Sequence, residues 1–182
     1  MQIQFSIIAA MDSERGIGKN DSLPWILKGD MKHFFEITSK TVDPNKKNAV
    51  IMGRKTWESI PVNHKPLKNR LNIVLTRNKI YKVPDEVLVF SSLETALVNF
   101  ENKNLNVEKI FVIGGAEIYK LAIENHLCQK LFLTEIKNSF DCNTFFPKIP
   151  DRFEKVKESD KIEENGVEYK FVEYVISHSQ NV

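Results

Sequence analysis

Residues 16–35, GIGKNDSLPWILKGDMKHFF, decide the fold of this chain. Gly16, Gly18 and the Asn-Asp-Ser that follows at residues 20–22 favour a flexible loop, because glycine adopts backbone angles that other residues resist. Pro24 then fixes its own φ and holds Leu23 extended. A helical pattern over about residues 28–40 follows, in which Asp30 and Phe34 share a face because they are four residues apart. That face is mostly apolar, so the sequence predicts a helix that carries a carboxylate among apolar side chains.

Asp30 can be interpreted in three ways. It could cap a helix that begins at Met31, or it could be an ordinary acid on the surface. We favour a third interpretation, in which the helix begins before Asp30 because residues 23–25 already interrupt the chain, and the carboxylate is buried beside Phe34. Burial without a cation raises the pKa of a carboxyl group. Such a group could bind a protonatable heterocycle through two hydrogen bonds, or supply a proton to a reaction.

The composition indicates a globular protein with balanced charge. Hydrophobic residues make up 42% of the 182 residues, and 26 basic against 24 acidic residues leave a net charge of +2. We therefore expect one domain over residues 1–182 with a well-buried core, and neither nucleic acid nor a membrane as a partner. Because the chain shows no signal-peptide pattern and no apolar run of about 18–20 residues, we expect it in the cytoplasm.

Cysteine and histidine are too few and too scattered to predict a metal site. The two cysteines, Cys128 and Cys142, make neither a zinc motif nor a disulfide framework. The four histidines lack the spacing of metal ligands: His33, His64, His126 and His178. No metal is therefore expected.

Apolar runs of strand length alternate with helical patterns through the rest of the chain. The predicted strands are residues 3–10, 49–52, 70–76, 87–90, 109–113, 130–136, 153–158 and 167–176. The predicted helical segments are residues 28–40, 57–60, 116–123 and one that begins after the serines at 91–92. Asn165-Gly166 is a strong turn pattern that would join the last two strands. This order predicts an α/β fold, with an open mixed, mostly parallel sheet, flanking helices and an antiparallel C-terminal strand pair.

Ligands of open α/β sheets bind beyond the carboxyl ends of the strands. Gly53-Arg54-Lys55-Thr56 follows one such end, and its backbone N–H groups and two cations would suit a phosphate. It is not a P-loop, because Asn48 stands where the first glycine would be. A turn with two exposed cations explains the same residues equally well. The strand ends that make up the candidate region are Ala10, Met52, Thr76 and Ile113.

Two further features lie beyond strand ends. Gly114-Gly115 could let the backbone approach a pyrophosphate closely. The G-x-G-x-x-G spacing of a dinucleotide fold is absent, however, and for the pair alone a tight turn is the preferred interpretation. Arg77 stands where an NAD site would place an acid for the ribose hydroxyl. Together with Arg54 and Lys55 it would favour a 2′-phosphate, which points to NADPH rather than NADH.

The chain resembles the dihydrofolate reductases along nearly its whole length. No single matching segment is specific, but the set at these spacings is. The loops and residues 165–171 resemble eukaryotic members, whereas Asp rather than Glu at position 30 resembles bacterial members and some lower eukaryotes. The matching segments are residues 7–10, 16–18, 23–25, Asp30 with Phe34, residues 49–61, 65–67 with Arg70, 113–115 with Tyr119, 133–134 and 144–147.

The resemblance implies reduction of 7,8-dihydrofolate to 5,6,7,8-tetrahydrofolate with NADPH, by hydride transfer to C6 and protonation at N5, in support of thymidylate and purine synthesis. Asp30 would hold the pteridine with help from Thr134. It would also promote protonation of N5 through a water near Trp25, and the implied catalytic residues are Asp30, Trp25 and Leu23. Arg70 would pair with the α-carboxylate of the substrate's glutamate. The other implied substrate contacts are Ile8, Ala10, Met31, Phe34, Ile60 and Leu67.

The resemblance also implies how NADPH would bind. The 2′-phosphate would be held by Arg54, Lys55 and Arg77. The pyrophosphate would be held by Thr56 and by Gly114-Gly115-Ala116. The nicotinamide would contact Ile17, Gly18 and Ser22. Further cofactor contacts are implied at Ala10, Gly53, Thr76, Ile113, Glu117 and Tyr119.

The expected partners are dihydrofolate and antifolate-like small molecules, and family members that stand alone are usually monomers.

One position departs from the family pattern. The residue before Thr144 is commonly Asp, and in bacterial members that Asp accepts hydrogen bonds from the glycine loop; here it is Asn143. The amide keeps an acceptor but has no charge, so we expect altered motion of the loop rather than lost activity.

Two alternatives remain open. A pterin or ribose-pyrimidine reductase of the same fold would have no use for Arg70, because its substrate lacks a glutamate tail. A catalytically inactive protein that binds NADPH or folate would not need Asp30, Trp25 and Thr134 together.

Overall fold

The structure, a computed structural model, describes residues 3–102 and 105–177, so His178 lies outside the described residues. Its strands are β1 (Phe5–Met11), β2 (Gly16–Gly18), β3 (Lys47–Gly53), β4 (Arg70–Leu75), β5 (Val87–Phe90), β6 (Val107–Val112), β7 (Cys128–Ile136), β8 (Thr144–Phe145), β9 (Phe153–Glu158), β10 (Ile162–Glu164) and β11 (Val167–Ile176). Its helices are α1 (Lys28–Ser39), α2 (Arg54–Ser59), α3 (Leu93–Asn102) and α4 (Ala116–Glu124), with a 3-10 turn at Val62–His64.

Six strands form a parallel sheet in the order β7-β1-β6-β3-β4-β5. Successive residues of a strand point to opposite faces, and each face carries its own hydrophobic cluster. Ile7 and Ile51 pack with side chains of α3 and α4, whereas Ile8 and Val50 pack with side chains of α1 and α2. Helices on both faces explain why these strands are continuously apolar. The predicted fold class is confirmed.

The C-terminal strands extend this sheet in antiparallel fashion. β11 pairs with β7, and both β9 and β10 pair with β11 on its other side. The predicted turn joins β10 to β11, and Asn165 and Gly166 have φ of 53° and 75°, as a tight hairpin turn requires. The two predicted strands therefore do pair, and the short strand β10, which the sequence pattern did not predict, forms the part of the hairpin nearest the turn.

The glycine loop is partly a strand. Gly16–Gly18 pairs antiparallel with Thr144–Phe145, and the N–H of Phe146 donates to the carbonyl of Arg15 at 2.7 Å. The prediction of a loop is thus wrong for Gly16–Gly18, which form a strand, whereas residues 19–22 form a turn. The local pattern could not show the pairing, because the partner strand lies far away in the sequence.

The carboxyl ends of β3 and β6 meet beneath two helix starts. The N–H of Ile113 donates to the carbonyl of Ile51 at 2.9 Å, and the N–H of Gly53 donates to the carbonyl of Gly114 at 2.8 Å. The two glycine turns singled out in the sequence therefore lie side by side, one ahead of α2 and the other ahead of α4.

Candidate active site

Asp30 is buried in the first turn of α1. The helix begins at Lys28 and its N-cap is Leu27, so Asp30 does not cap it, and the carboxylate is only 7% exposed. Its Oδ1 accepts a hydrogen bond of 2.6 Å from the hydroxyl of Thr134. Burial raises the pKa of Asp30, the hydrogen bond from Thr134 opposes this rise, and the charge of Glu164 adds to it. The carboxyl group therefore takes up a proton more readily than an exposed aspartate.

The strand pairing places other predicted substrate contacts beside Thr134. In the register of β1 with β7, Ala10 lies opposite Thr134. Two residues earlier on β1, the carbonyl of Ile8 accepts a hydrogen bond of 2.8 Å from the hydroxyl of the buried Tyr119. Tyr119, predicted as a cofactor contact, thus joins α4 to β1 beneath the site.

A cavity of about 250 Å³ lies against Asp30. Trp25 forms part of its wall, is 5% exposed, and packs edge-on against Phe140 with ring centroids 5.4 Å apart. The indole Nε1 is buried and donates to no described residue, so it is a donor that a bound molecule could use. Leu23 and Met31 are about half exposed on the rim. The residues around the cavity are Leu23, Trp25, Ile26, Leu27, Lys28, Asp30 and Met31.

The remaining predicted apolar contacts come together on the face of the sheet that carries α1. Ile8 is a buried member of this cluster, and Phe34, Ile60 and Leu67 pack against it while staying partly exposed. Partly exposed apolar side chains around one opening can contact a flat aromatic ligand. The structure thus brings together the predicted lining from β1, α1 and the segment after α2.

Arg70 is a buried cation at the far end of α1. It is 9% exposed, and its NH1 donates to the hydroxyl of Thr38 at 2.8 Å while its Nε donates to the carbonyl of Lys68 at 2.9 Å. The guanidinium also lies 5.7 Å and 5.3 Å from the ring centroids of Phe34 and Phe35. Burial lowers the pKa of Arg70 to about 10, and none of the described carboxylates forms an ion pair with it. At neutral pH it is a charged group that could receive an anion.

The paired glycine turns form a second part of the site. Gly114 has φ of +126°, which favours glycine, and the peptide to Gly115 is cis. A Cβ at Gly115 would come within 3.2 Å of the hydroxyl of Thr56. Gly115 is the N-cap of α4 but makes no side-chain cap, and Ala116 begins the helix. The two glycines therefore let this backbone lie close to the Thr56 hydroxyl and the Tyr119 ring, and Glu117 in the first turn of α4 is exposed.

The three predicted phosphate-binding cations differ in their surroundings. Arg54 is partly engaged, since its NH1 lies 3.0 Å from Glu58 one turn along α2. Lys55 and Arg77 are exposed and form no ion pair with any described residue. Thr76, just before Arg77, is half-buried and its N–H donates to the carbonyl of Phe90.

The predicted nicotinamide contacts lie on the glycine loop. Ile17 and Gly18 are half-buried in β2, and Ser22 is exposed and bonded to Lys19. Asn143 holds this loop through a double contact, because its Oδ1 accepts from the N–H of Asn20 and its Nδ2 donates to Asn20 Oδ1 at 2.9 Å. Asn143 therefore keeps the expected acceptor and adds a donor that aspartate would lack.

The sequence analysis missed three polar residues of this region. Asp12 is buried and accepts hydrogen bonds from the N–H groups of Gly16 at 2.6 Å and Phe140 at 3.0 Å, which ties the glycine loop to the segment before β8. Its position directly after an apolar strand was a usable signal. For Thr38 the helical spacing indicated only that it lies on the same face as Phe34, because its partner Arg70 is distant in the sequence. Glu164 gave no signal, because the N–H groups that it binds are also distant.

Residues 3–102 and 105–177 contain neither a cluster of metal ligands nor a membrane-spanning helix. No group of three or more His, Cys, Asp or Glu side chains is placed to hold a metal ion. No helix in that part of the chain is both long enough and apolar enough to cross a membrane.

Comparison with known proteins shows the family of the chain. Residues 4–176 match the family model described as dihydrofolate reductase. A dihydrofolate reductase of Heliothis virescens is 44% identical over 95% of this chain and 97% of its own length, and one of Drosophila melanogaster is 42% identical over 94% and 98%. A bifunctional dihydrofolate reductase-thymidylate synthase of Glycine max is 41% identical over 96% of this chain but 34% of its own length. A match of this extent to the family model and to whole relatives means that the chain belongs to the dihydrofolate reductase family.

Proposed function

We propose that the protein reduces 7,8-dihydrofolate to 5,6,7,8-tetrahydrofolate with NADPH. The observation that carries this proposal is Asp30, a buried carboxyl group with a hydroxyl partner, with no cationic partner among the described residues, and with a cavity beside it. Family membership supports the activity. The substrate and cofactor contacts below are supported by the positions of the side chains.

Asp30 would bind the pteridine through its free lone pairs. Thr134 occupies one side of Oδ1, and Oδ2 accepts no hydrogen bond from a described residue. A carboxylate can accept about four hydrogen bonds, so the ring nitrogen and the 2-amino group of the pteridine can both donate to it. Ile8 and Phe34 would lie along the faces of the ring system.

Asp30 would also promote the protonation of N5 through a water near Trp25, without touching N5 itself. The raised pKa leaves a larger fraction of the carboxyl group protonated near neutral pH than in an exposed aspartate. The indole N–H of Trp25, which has no described acceptor, would hold a water between Asp30 and the solvent side of the cavity. Leu23 on the rim would limit the access of other water.

Arg70 would bind the α-carboxylate of the glutamate tail. Its NH1 and Nε are engaged by Thr38 and by the carbonyl of Lys68, and NH2 donates to no described residue. Phe34 and Phe35 keep the guanidinium beside apolar surface, where a hydrogen bond to an anion is stronger than in water. A pterin without a tail would leave this buried charge unused.

Residues beyond the ends of β3, β4 and β6 fit the phosphates of NADPH, which when bound supplies the hydride for C6. The uncapped start of α4 and the hydroxyl of Thr56 fit a pyrophosphate, since a helix N-terminus favours negative charge. Lys55 and Arg77, which form no ion pair with a described residue, fit a 2′-phosphate. Arg54 would contact the same phosphate while it keeps its ion pair with Glu58.

A spectrophotometric assay tests the proposal. Loss of NADPH absorbance is measured with dihydrofolate, with a dihydropterin that lacks the glutamate tail, and with NADH in place of NADPH. We expect turnover with NADPH and dihydrofolate, a higher KM for the tail-less pterin, and weaker use of NADH. Tight binding of NADPH or of a 2,4-diaminopyrimidine antifolate without any turnover would instead support an inactive binding protein.

A further inference from the structure

Glu164 contacts the start of the helix that carries Asp30. It is the last residue of β10, and its Oε1 accepts a hydrogen bond of 2.7 Å from the N–H of Lys28. Its Oε2 accepts one of 2.9 Å from the N–H of Gly29. These N–H groups immediately precede Asp30 in the chain, so the carboxylate of Glu164 holds the backbone next to the proposed catalytic acid.

This contact replaces an ordinary helix cap. The first N–H groups of a helix have no partner within the helix, and the N-cap of α1 is Leu27, whose side chain cannot accept a hydrogen bond. A negative charge at this end also interacts favourably with the helix dipole. Glu164 performs both functions from a position 136 and 135 residues further along the chain.

The hairpin of β10 and β11 packs tightly against the start of α1. A Cβ at Gly29 would overlap the hydroxyl of Tyr169 and would lie 3.2 Å from Glu164 Oε2. The hydroxyl of Tyr169 lies 3.4 Å from the same carboxylate, and Asn165 Nδ2 donates to the carbonyl of Ile26 at 3.3 Å. The hairpin tip therefore holds the chain on both sides of Leu27, between Trp25 and Asp30.

We propose that Glu164 is a positioning residue of the active site: by holding the first turn of α1 it fixes Asp30 against Thr134 and sets the electrostatic environment of that carboxyl group. This inference rests on the proposed reduction of dihydrofolate. Glu164 itself touches neither the substrate nor the cofactor in this scheme, and it acts through the helix start and through its charge.

The charges around Asp30 determine in which direction its pKa should change when Glu164 is replaced. Glu164 is the one charged group that acts on the pKa of Asp30 among the described residues, and it raises that pKa, after the larger effect of burial. Thr134 donates a hydrogen bond to Asp30, and the pKa values of Tyr119 and Tyr169 are raised mainly by burial and in part by the charge of Asp30. Loss of the Glu164 charge therefore lowers the pKa of Asp30.

Three variants test the proposal. Glu164→Gln removes the charge and leaves one acceptor oxygen, Glu164→Ala removes both acceptors, and Glu163→Gln removes the same charge from the neighbouring exposed residue. The pKa of Asp30 is measured in each by ¹³C NMR of labelled aspartate carboxyl groups, with Asp30→Asn to assign the signal. The kcat for dihydrofolate is measured against pH in the same proteins.

We expect Glu164→Gln and Glu164→Ala to lower the pKa of Asp30 and to move the fall of kcat to lower pH, while Glu163→Gln behaves like the wild type. Glu164→Ala is also expected to lower kcat at pH 7 with an unchanged KM for NADPH, because the first turn of α1 then holds Asp30 less firmly. An Asp30 pKa that is the same in the wild type and both Glu164 variants would overturn the proposal. If the wild type does not reduce dihydrofolate, the proposed function fails, and the NMR titration still decides the role of Glu164.

Discussion

Asp30 and Arg70 lie against the two ends of α1 and resemble each other apart from the sign of their charge. Each is buried, each has a threonine hydroxyl as partner, and within the described part of the chain neither forms an ion pair. Burial favours the neutral form of both groups. It therefore raises the pKa of Asp30 and lowers the pKa of Arg70 to about 10. Arg70 nevertheless stays charged at neutral pH, whereas the charge of Asp30 depends on pH.

This difference separates binding from proton transfer. A charge that stays fixed near neutral pH can orient an anion but cannot exchange a proton there. A carboxyl group with a raised pKa can do both. Burying an unpaired charge costs free energy, so both ends of α1 carry groups whose partner is best supplied by a ligand. Variants of Asp30, Arg70, Thr134 and Thr38 test this division of roles.

Asp30→Asn is expected to have the largest effect. It should lower kcat for dihydrofolate by about 10²–10⁴-fold, the usual contribution of a positioned acid. The matched control is Glu36→Gln, an exposed acid on the same helix, which should leave kcat unchanged. Stopped-flow measurement of NADPH oxidation separates the chemical step from product release. Equal rates in Asp30→Asn and the wild type would remove Asp30 from the mechanism.

The same variant should also be more stable than the wild type at high pH. Because the pKa of Asp30 is above 3.8 in the folded state, the unfolded chain loses its proton first, and stability falls as pH rises from about 4 through the folded pKa. Asparagine does not titrate, so the Asp30→Asn variant does not lose stability in this way as pH rises. Urea unfolding at pH 8 and at pH 3 should show the gain at pH 8 only, and a gain of the same size at both would contradict a raised pKa.

Arg70→Leu is expected to act on binding. Its KM for dihydrofolate should rise about 10–100-fold, because a hydrogen bond to a charged group contributes about 1.5–3 kcal/mol. The KM of Arg70→Lys should lie between those of the wild type and Arg70→Leu, because an ammonium group keeps the charge but lacks the planar fork of the guanidinium. A dihydropterin without a glutamate tail is the control substrate, and its kinetics should be the same in all three proteins. A similar loss with both substrates would show that Arg70 serves the fold instead.

The two ends of α1 also show which features a local sequence pattern can predict. The helical spacing of Asp30 and Phe34 predicted the shared face, and the apolar run at residues 49–52 predicted β3. The hydroxyl partners of the two charges could not be predicted in this way, because Thr134 and Asp30 are 104 residues apart. The assignment of Thr134 to the pteridine site came from the family resemblance. The caps and ties made by Glu164 and Asp12 are equally remote, and only the fold brings them to the site.

Thr134→Val tests the partner of the acid. The hydrogen bond from Thr134 lowers the pKa of Asp30, so its removal should raise that pKa and move the fall of kcat to higher pH, opposite to Glu164→Gln. The KM for dihydrofolate should rise about ten-fold, because one hydrogen bond that orients the carboxylate is lost. Measuring kcat and KM against pH decides both points. A shift to lower pH would mean that the hydroxyl does not act on Asp30 as its 2.6 Å contact indicates.

Thr38→Val makes the same chemical change at the other end of α1 and should have the smallest effect. The hydroxyl of Thr38 accepts from Arg70 NH1 at 2.8 Å and donates to the carbonyl of Phe34 at 2.7 Å, so its loss leaves one N–H of a buried guanidinium unpaired. The KM for dihydrofolate should rise about three- to five-fold. Because the pKa of Arg70 stays near 10, the pH profile between 5 and 9 should not move. If Thr38→Val shifts that profile as Thr134→Val does, the two ends of the helix are coupled, and the division between a fixed charge and a proton-exchanging one is wrong.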